Sequence, residues 1–366
     1  MLFFARRTTI LAFWIYLGLT STVVYCQNGL DLDTRETDKY GDVVDKLGDN
    51  LMLVHQDRNR HWWFGTWGDG LYRHDGKSIV HFTTEHGLSH NRIDQIVEDS
   101  EGFLYFSTSA GVSRFNGKVF HTLPMSTVSD WQLKPGDLWF RAPKYDGAVF
   151  RYDGRMLHLL QIPKVQIAEE FIKKNPQTPS PYGIYFIYRD RHQTVWFGTA
   201  AAGVCRYDGK TFDWLTSEDV NEFHRGPSNG VRSIIEDHEG NFWFNTRFRY
   251  TVNQPPFAPV NSAQSEAIFQ RLPGIGSLDG KPDGEHEYMS IAQDREKNLW
   301  IATYRNGAYR YDGKTLRHYP ILKGSKDVNL FTIYCDRDGT VWVGTPEDGA
   351  YRFNGTSFER FANGPS

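Results

Sequence analysis

Along most of the chain, short runs of β-branched and aromatic residues alternate with clusters of Asp, Asn and Gly, a pattern that predicts short strands joined by tight turns. The C-terminal stretch shows the unit best. Leu330-Phe331-Thr332-Ile333-Tyr334-Cys335-Asp336 leads through Asp338-Gly339 to Val341-Trp342-Val343-Gly344-Thr345, then to Gly349-Ala350-Tyr351-Arg352-Phe353-Asn354-Gly355 and to Ser357-Phe358-Glu359-Arg360-Phe361. The same order recurs at 289–319, 184–215, 93–123 and 51–82. Each copy holds the four strand-like runs that make one β-propeller blade.

With the residue before the Gly-Thr position as a ruler, the copies fall at Phe64, Phe106, Phe140, Phe197, Phe244, Ile301 and Val343. Two are degenerate: Phe140 is followed by Arg141-Ala142, and the copy at Phe244 lacks the later Asp-Gly turn. Spacing retains both. The steps 64 to 106 and 301 to 343 are 42 residues each, whereas 106 to 197 and 197 to 301 span 91 and 104, room for one more blade in each. The expected fold is all-β, a seven-bladed β-propeller of four-stranded antiparallel blades at about 51–90, 91–127, 128–182, 183–229, 230–287, 288–329 and 330–366. The repeat runs in phase from the first strand of the first blade to the fourth strand of the last, so no strand exchange is expected where the ring closes. Residues 27–50 are expected to form an exposed lead-in, with pairing of one short stretch to the last blade left open.

Columns of the repeat separate scaffold from chemistry. Val54, Ile96, Ile187, Ile234, Ile291 and Ile333 stand three positions before a turn Asp and read as inner-strand core. Trp63, Trp139, Trp196, Trp243, Trp300 and Trp342 recur once per blade, which argues for inter-blade packing rather than sugar stacking. Asp75-Gly76, Asn116-Gly117, Asp153-Gly154, Asp208-Gly209, Asp312-Gly313 and Asn354-Gly355 are expected to be the central pairs of primed hairpin turns, with φ > 0 at both residues. The segment 336–339 lacks the length and closing Glu of a calcium loop.

Ile96-Val97-Glu98-Asp99, Trp196-Phe197-Gly198-Thr199, Gly307-Ala308-Tyr309-Arg310-Tyr311-Asp312-Gly313 and Gly87-Leu88-Ser89-His90-Asn91 resemble the two-component regulator propeller repeat family, and the resemblance extends over 51–361. It implies an extracytoplasmic sensor-type propeller, of the kind that precedes hybrid histidine kinases and receives oligosaccharides. This chain departs from that pattern by ending at Ser366 without a kinase or other output domain, so signalling by its own chain is not expected.

At the N-terminus, Arg6 and Arg7 precede an uncharged, mostly apolar run from Thr9 to Tyr25, after which the chain turns polar. This is a secretory signal layout with cleavage expected after Cys26, so residues 1–26 are assigned as signal peptide. An uncleaved anchor and lipid attachment at Cys26 are the alternatives. The expected location is extracytoplasmic, periplasmic or secreted. Lys and Arg number 41 against 44 Asp and Glu, a net charge of −3 that offers no field for nucleic acid. A mean hydropathy of −0.54 excludes a multi-span membrane protein. Three Cys cannot form a disulfide framework, and Cys205 and Cys335 read as small apolar strand residues.

In an up-and-down blade the turns after strands one and three share one face, and those after strands two and four share the other. The first face carries stereotyped short turns; the second carries loops that vary, including 162–183, 217–229 and 272–287. Variable loops on a rigid frame are where binding residues collect. The candidates there are Trp67 and Asp69; Lys144 and Tyr145, beside Asp146; Arg247 and Arg249, flanking Phe248; Tyr304 and Arg305, beside Asn306; and Glu347, beside Asp348. Aromatic faces beside carboxylate and guanidinium groups suit a sugar.

Catalysis has weaker support. A glycosidase would draw its two acids from Asp69, Asp146, Glu347 and Asp348, and a lyase would need a base such as His224 or His286, the latter within Glu285-His286-Glu287. Metal-binding spacing, a nucleophile elbow and a phosphate loop are missing from the sequence, so no metal, cofactor or catalytic residue is assigned. The expected role is a non-catalytic ligand-binding module for an oligosaccharide or other small ligand. A protein-binding scaffold is the first alternative, with the 250–270 insert as its contact; a propeller-type lyase or glycoside hydrolase is the second.

Overall fold

The computed structural model describes residues 41–177, 179–216, 230–246, 248–252, 269–276 and 288–362, which fall in one compact unit spanning 39–366. The N-terminal segment with Arg6, Arg7 and Cys26 lies outside the described residues, as do His224, Arg247, Glu285-His286-Glu287 and the prolines of the 250–270 insert.

Among the described residues seven antiparallel blade sheets follow one another along the chain, five of them with four strands in sequence order, and a separate two-stranded hairpin, Leu322–Lys323 with Lys326–Asp327, lies between the last two. First strands touch the first strands of neighbouring blades, as Leu51–Gln56 touches both Ile93–Glu98 and Thr332–Cys335, so they line the axis. The two expected scaffold columns meet between blades. Trp300 of the sixth blade packs with Ile333, Val341 and Phe358 of the seventh, and Trp342 of the seventh packs with Leu51 and Phe64 of the first.

Six of the seven blades lock their first turn with one carboxylate; in the third, the indole N–H of Trp139 meets no such partner among the described residues. In the sixth, Asp294 Oδ1 accepts from the backbone N–H of Asn298 at 2.8 Å, and Oδ2 accepts from Trp300 Nε1 at 2.8 Å. The same Asp-to-indole bond, at 2.8–2.9 Å, joins Asp57 to Trp63, Asp190 to Trp196, Asp237 to Trp243 and Asp336 to Trp342. In the second blade the Tyr105 hydroxyl donates to Asp99 instead. A large ring is thereby buried with its polar N–H satisfied, and the turn is held against the sheet. The Gly-Thr motif has a similar use. The hydroxyls of Thr66, Thr199, Thr303 and Thr345 donate to the carbonyls of Gly70, Gly203, Gly307 and Gly349 at 2.7–2.8 Å, closing the turn after the second strand.

The hairpin turns differ from expectation. Only the Gly of each Asp-Gly or Asn-Gly pair has positive φ, between 92° and 99°. Asp75 N donates to Ser78 O, so Gly76 and Lys77 are the central residues, with Gly first as in a II′ turn. Asp75 precedes them and accepts from the amides of Ser78 and Lys77, which bring its pKa down to about 2.

Two blades depart from four strands. The first has five, because Asp42–Val44 pairs antiparallel with Ile79–Phe82 at its outer edge; the lead-in therefore adds to the first blade and not to the last. The third has only three, Leu138–Arg141, Ala148–Tyr152 and Leu157–Gln161. Its inner strand is missing. Residues 124–126 instead run along the outer edge, where Met125 bridges Leu157 in parallel and Ser126 N donates to Leu157 O at 2.8 Å. Leu138–Arg141 consequently touches the first strands of both the second and fourth blades.

Among the described residues no strand is exchanged where the ring closes. Leu51 N donates to Thr345 O at 2.8 Å, Arg337 N donates to Gln56 Oε1 at 2.8 Å, and Phe361 stacks on Phe64.

Candidate functional site

The first strands carry a local irregularity at the start. In the first, second, fourth and sixth blades the register slips by one residue, at Met52, Asp94, Tyr185 and Met289. A bulge of this kind re-aims the side chain it displaces. All four residues stand five positions before the turn Asp; in the fifth and seventh blades the same position holds Arg232 and Phe331. The neighbouring column, three before the Asp, is aliphatic throughout, whereas this one changes character from blade to blade.

Asp94, Tyr185, Arg232 and Phe331 gather with residues from the adjoining turns at the axial mouth on the variable-loop face. Phe331 is the centre: Trp67 meets it edge-on at 5.6 Å, Tyr304 edge-on at 6.1 Å, and the Arg232 guanidinium lies 6.0 Å from its ring. Arg232 also lies over Tyr185 at 4.2 Å, and Arg92 over Trp67 at 4.5 Å. Asp94 is buried and accepts from Arg92 Nε at 3.1 Å, with Arg141 Nη2 at 3.8 Å.

Arg141 reaches the axis because the third blade lacks its inner strand. Its Nε donates to Ile184 O and its Nη1 to Asp94 O, both at 2.9 Å, so the guanidinium bridges the second and fourth blades across the gap. Burial lowers the pKa of this group most; Asp94 acts against that, and the neighbouring Arg92 and Arg232 charges add to it. Gln95 completes the junction by accepting from Arg141 N at 2.9 Å and donating to Trp139 O at 3.2 Å.

The structure distributes the sequence-derived candidates unevenly. Trp67, 38% exposed, and Tyr304 belong to the mouth, and Arg305 is exposed with its guanidinium 5.0 Å from the Tyr304 ring. Asp69 holds its own turn, accepting from the Tyr72 hydroxyl and lying 3.7 Å from His81 Nε2. Asp348 is buried and bound by Tyr351 and Lys323, while Glu347 beside it is exposed. Tyr145 packs edge-on against Phe150, and Lys144 is exposed next to it. Arg249 sits in the strand Arg249–Val252 and pairs with Glu239 at 2.7 Å. That pair lines a polar cavity of about 370 Å³ between the fifth and sixth blades, beside the short turn at Asp237.

Arg92, Arg141, Tyr185, Arg232 and Phe331 went unremarked in the loop-based reading. The signal for most of them was the column five before the Asp, variable in type beside an aliphatic one. Among the described residues no His, Cys, Asp and Glu group could hold a metal ion. Burial pushes the Cys335 thiol up to about 12.

Residues 225–248, 284–305 and 324–347 match the family model described as two component regulator propeller. Solved structures of similar fold include the extracellular domains of two hybrid two component systems from B. thetaiotaomicron. One is 23% identical, with a TM-score of 0.54 over 86% of this chain and 40% of that one; the other is 17% identical, with a TM-score of 0.52 over 88% and 42%. Virginiamycin B lyase from Staphylococcus aureus is 12% identical, with a TM-score of 0.57 over 84% of this chain and 97% of that one. At these identities the likeness is one of fold. The chain spans about two fifths of the length of the two sensor chains. No curated protein matches the sequence.

Proposed function

We propose that this chain, three segments of which match the two component regulator propeller model, is a non-catalytic, extracytoplasmic binding module whose ligand, an oligosaccharide, sits on the axial mouth. The observation that carries the reading is the cluster of Trp67, Tyr185, Tyr304 and Phe331 interleaved with Arg92 and Arg232. Sugar C–H faces pack on aromatic rings while hydroxyls and ring oxygens take hydrogen bonds from guanidinium groups. Most of these side chains stand on or next to first strands, whose positions are set by the closed ring. Little ordering is left for a ligand to impose.

The extracytoplasmic assignment draws on the uncharged N-terminal run behind Arg6 and Arg7 and on the likeness to extracellular domains. No helix among the described residues is long and apolar enough to cross a membrane.

Thermal-shift titration of the protein against plant, algal and host oligosaccharides tests the reading. One glycan class is expected to raise the Tm, and Trp67→Ala or Tyr304→Ala is expected to remove the rise without unfolding the protein. A flat response across the panel would overturn it and move the search to a protein ligand.

A further inference from the structure

The chain between the second and third blades crosses the outer edge of the third, and we infer that this strap, residues 124–130, is a proton-operated latch: the His158 imidazolium clamps it to the sheet, and loss of one ring proton loosens it. His158 stands in the outer strand Leu157–Gln161 with both ring nitrogens engaged. Nδ1 lies 2.9 Å from Val128 O in the strap, and Nε2 lies 2.9 Å from Asp153 Oδ2 in the hairpin turn that precedes the strand. A carbonyl and a carboxylate can only accept, so each nitrogen must donate, and an imidazole with two N–H groups is a cation. A neutral ring would set a lone pair against one of the two oxygens.

The surrounding charges favour that cation. Asp153 faces it from the turn, where the other charged residue, Arg155, is exposed; Asp130 faces it from the strap, and Arg151 from the neighbouring strand, directly opposite in register. Arg151 is itself held by Asp130 and Asp137. The Tyr207 hydroxyl, which the fourth blade brings to the strap, donates to Trp131 O, and burial raises its pKa, so it stays neutral. With His158 charged, the carboxylates of Asp130, Asp137 and Asp153 meet two cations; with it neutral, they meet Arg151 alone. Burial works against the charge, but the bonds to Asp153 and Val128 outweigh it and raise the pKa of His158 above 6.5.

Among the described residues few other bonds tie the strap to the strand. Ser126 N donates to Leu157 O and Leu157 N to Pro124 O, both at 2.8 Å, and the Ser129 hydroxyl donates to Leu159 O at 2.9 Å. Met125 and Val128 are 44% and 64% exposed, so little apolar burial backs these bonds. The far end is anchored separately, by Arg151 on Asp130 O and by Trp131 packed edge-on against Tyr207 and Phe212. The loosening is therefore confined to 124–129. It uncovers the Leu157 N–H and the carbonyls of Leu157 and Leu159, the kind of groups through which an outer strand pairs with another.

Residue-resolved hydrogen exchange of the Ser126 and Leu157 amides between pH 6 and pH 9, corrected for intrinsic rates, measures the opening, and a nitrogen NMR titration of the His158 ring follows its proton. Below 6.5, the pKa of a free imidazole, the latched and released rings are both charged and protection should be level. Above 6.5 it should fall, by up to about ten-fold per pH unit, until the latched ring has lost its proton. A total loss of at least about three-fold is expected by pH 9, with both ring nitrogens protonated at pH 6. Asp153→Asn separates the latch from the turn. Asn already fills the same turn position at Asn116 and Asn354, where its Oδ1 takes the turn amides, so the hairpin is kept. The new amide donates to Nε2, the neutral ring still donates to Val128 O, and protection should stay level above pH 6.5. Level protection in the parent, a ring that titrates at or below 6.5, or a pH dependence unchanged by Asp153→Asn would overturn the inference.

Discussion

Gln95 does for Arg141, with a single side-chain amide, what a neighbouring strand does elsewhere in the ring. Its Oε1 accepts from Arg141 N at 2.9 Å and its Nε2 donates to Trp139 O at 3.2 Å, covering the inner edge of a sheet that lacks its first strand. The Ser107 hydroxyl donates to the carbonyl of Arg141 as well, at 2.7 Å. An uncovered edge at the axis would leave these backbone groups buried and unpaired.

Gln95→Ala should therefore destabilise the protein by about 2–3 kcal/mol, the cost of stranding one donor and one acceptor away from water. Equilibrium urea denaturation measures it. A loss below about 0.5 kcal/mol, typical of surface substitutions, would mean that the edge is covered in some other way.

The turn carboxylates should divide into two classes. Asp294→Ala strands the Trp300 indole N–H and the Asn298 amide, both buried, and should cost about 2–4 kcal/mol. Asp75→Ala removes bonds to two exposed amides and should cost clearly less. Denaturant midpoints of the two variants, compared at equal m-value, decide the matter; similar losses would contradict the structural division between the two turns.

Three first turns place a side-chain-bearing residue in the left-handed region where other blades use Gly: Arg60, Gln193 and Lys297 have φ of 66°, 69° and 71°. Gln193 makes no side-chain hydrogen bond to a described residue. Gln193→Gly should relieve that strain and stabilise the fold by roughly 0.5–1 kcal/mol. Calorimetry would show a raised Tm, and an unchanged or lower Tm would refute the expectation.

His55 should give stability a pH dependence of known sign. Burial lowers its pKa from 6.5 to about 4, with Glu98 and Asp57 acting the other way. The unfolded chain takes up a proton below about 6.5 while the folded chain resists it, so the contribution is intact above 6.5 and falls away between 6.5 and 4. At pH 4 the loss is on the order of 3 kcal/mol. Denaturation at pH 7 and pH 4.5 of the parent and His55→Gln isolates this part from the carboxylates; identical pH slopes would exclude His55 as the cause.

The scaffold was legible because its determinants are local and repeated. An indole six positions after an Asp, a Thr four before a Gly, and an aliphatic residue three before the turn each satisfy hydrogen bonds or burial within one blade or at its nearest neighbour, so the spacing along the chain carries the information. Even the missing strand left a trace: the aliphatic column has six members, Val54 to Ile333, for seven blades. Position within a turn was harder to read, since Asp-Gly fits both primed classes until the closing bond from Asp75 to Ser78 is known. The mouth was decided only by tertiary structure. Arg92, Arg141, Arg232 and Phe331 lie in four different blades, and Arg141 and Arg232 belong to the two most degenerate copies of the repeat. What brings them together is the closure of the ring, the slip of register at the start of first strands such as Asp94 and Tyr185, and the gap that admits Arg141, and none of these is expressed as a spacing along the chain.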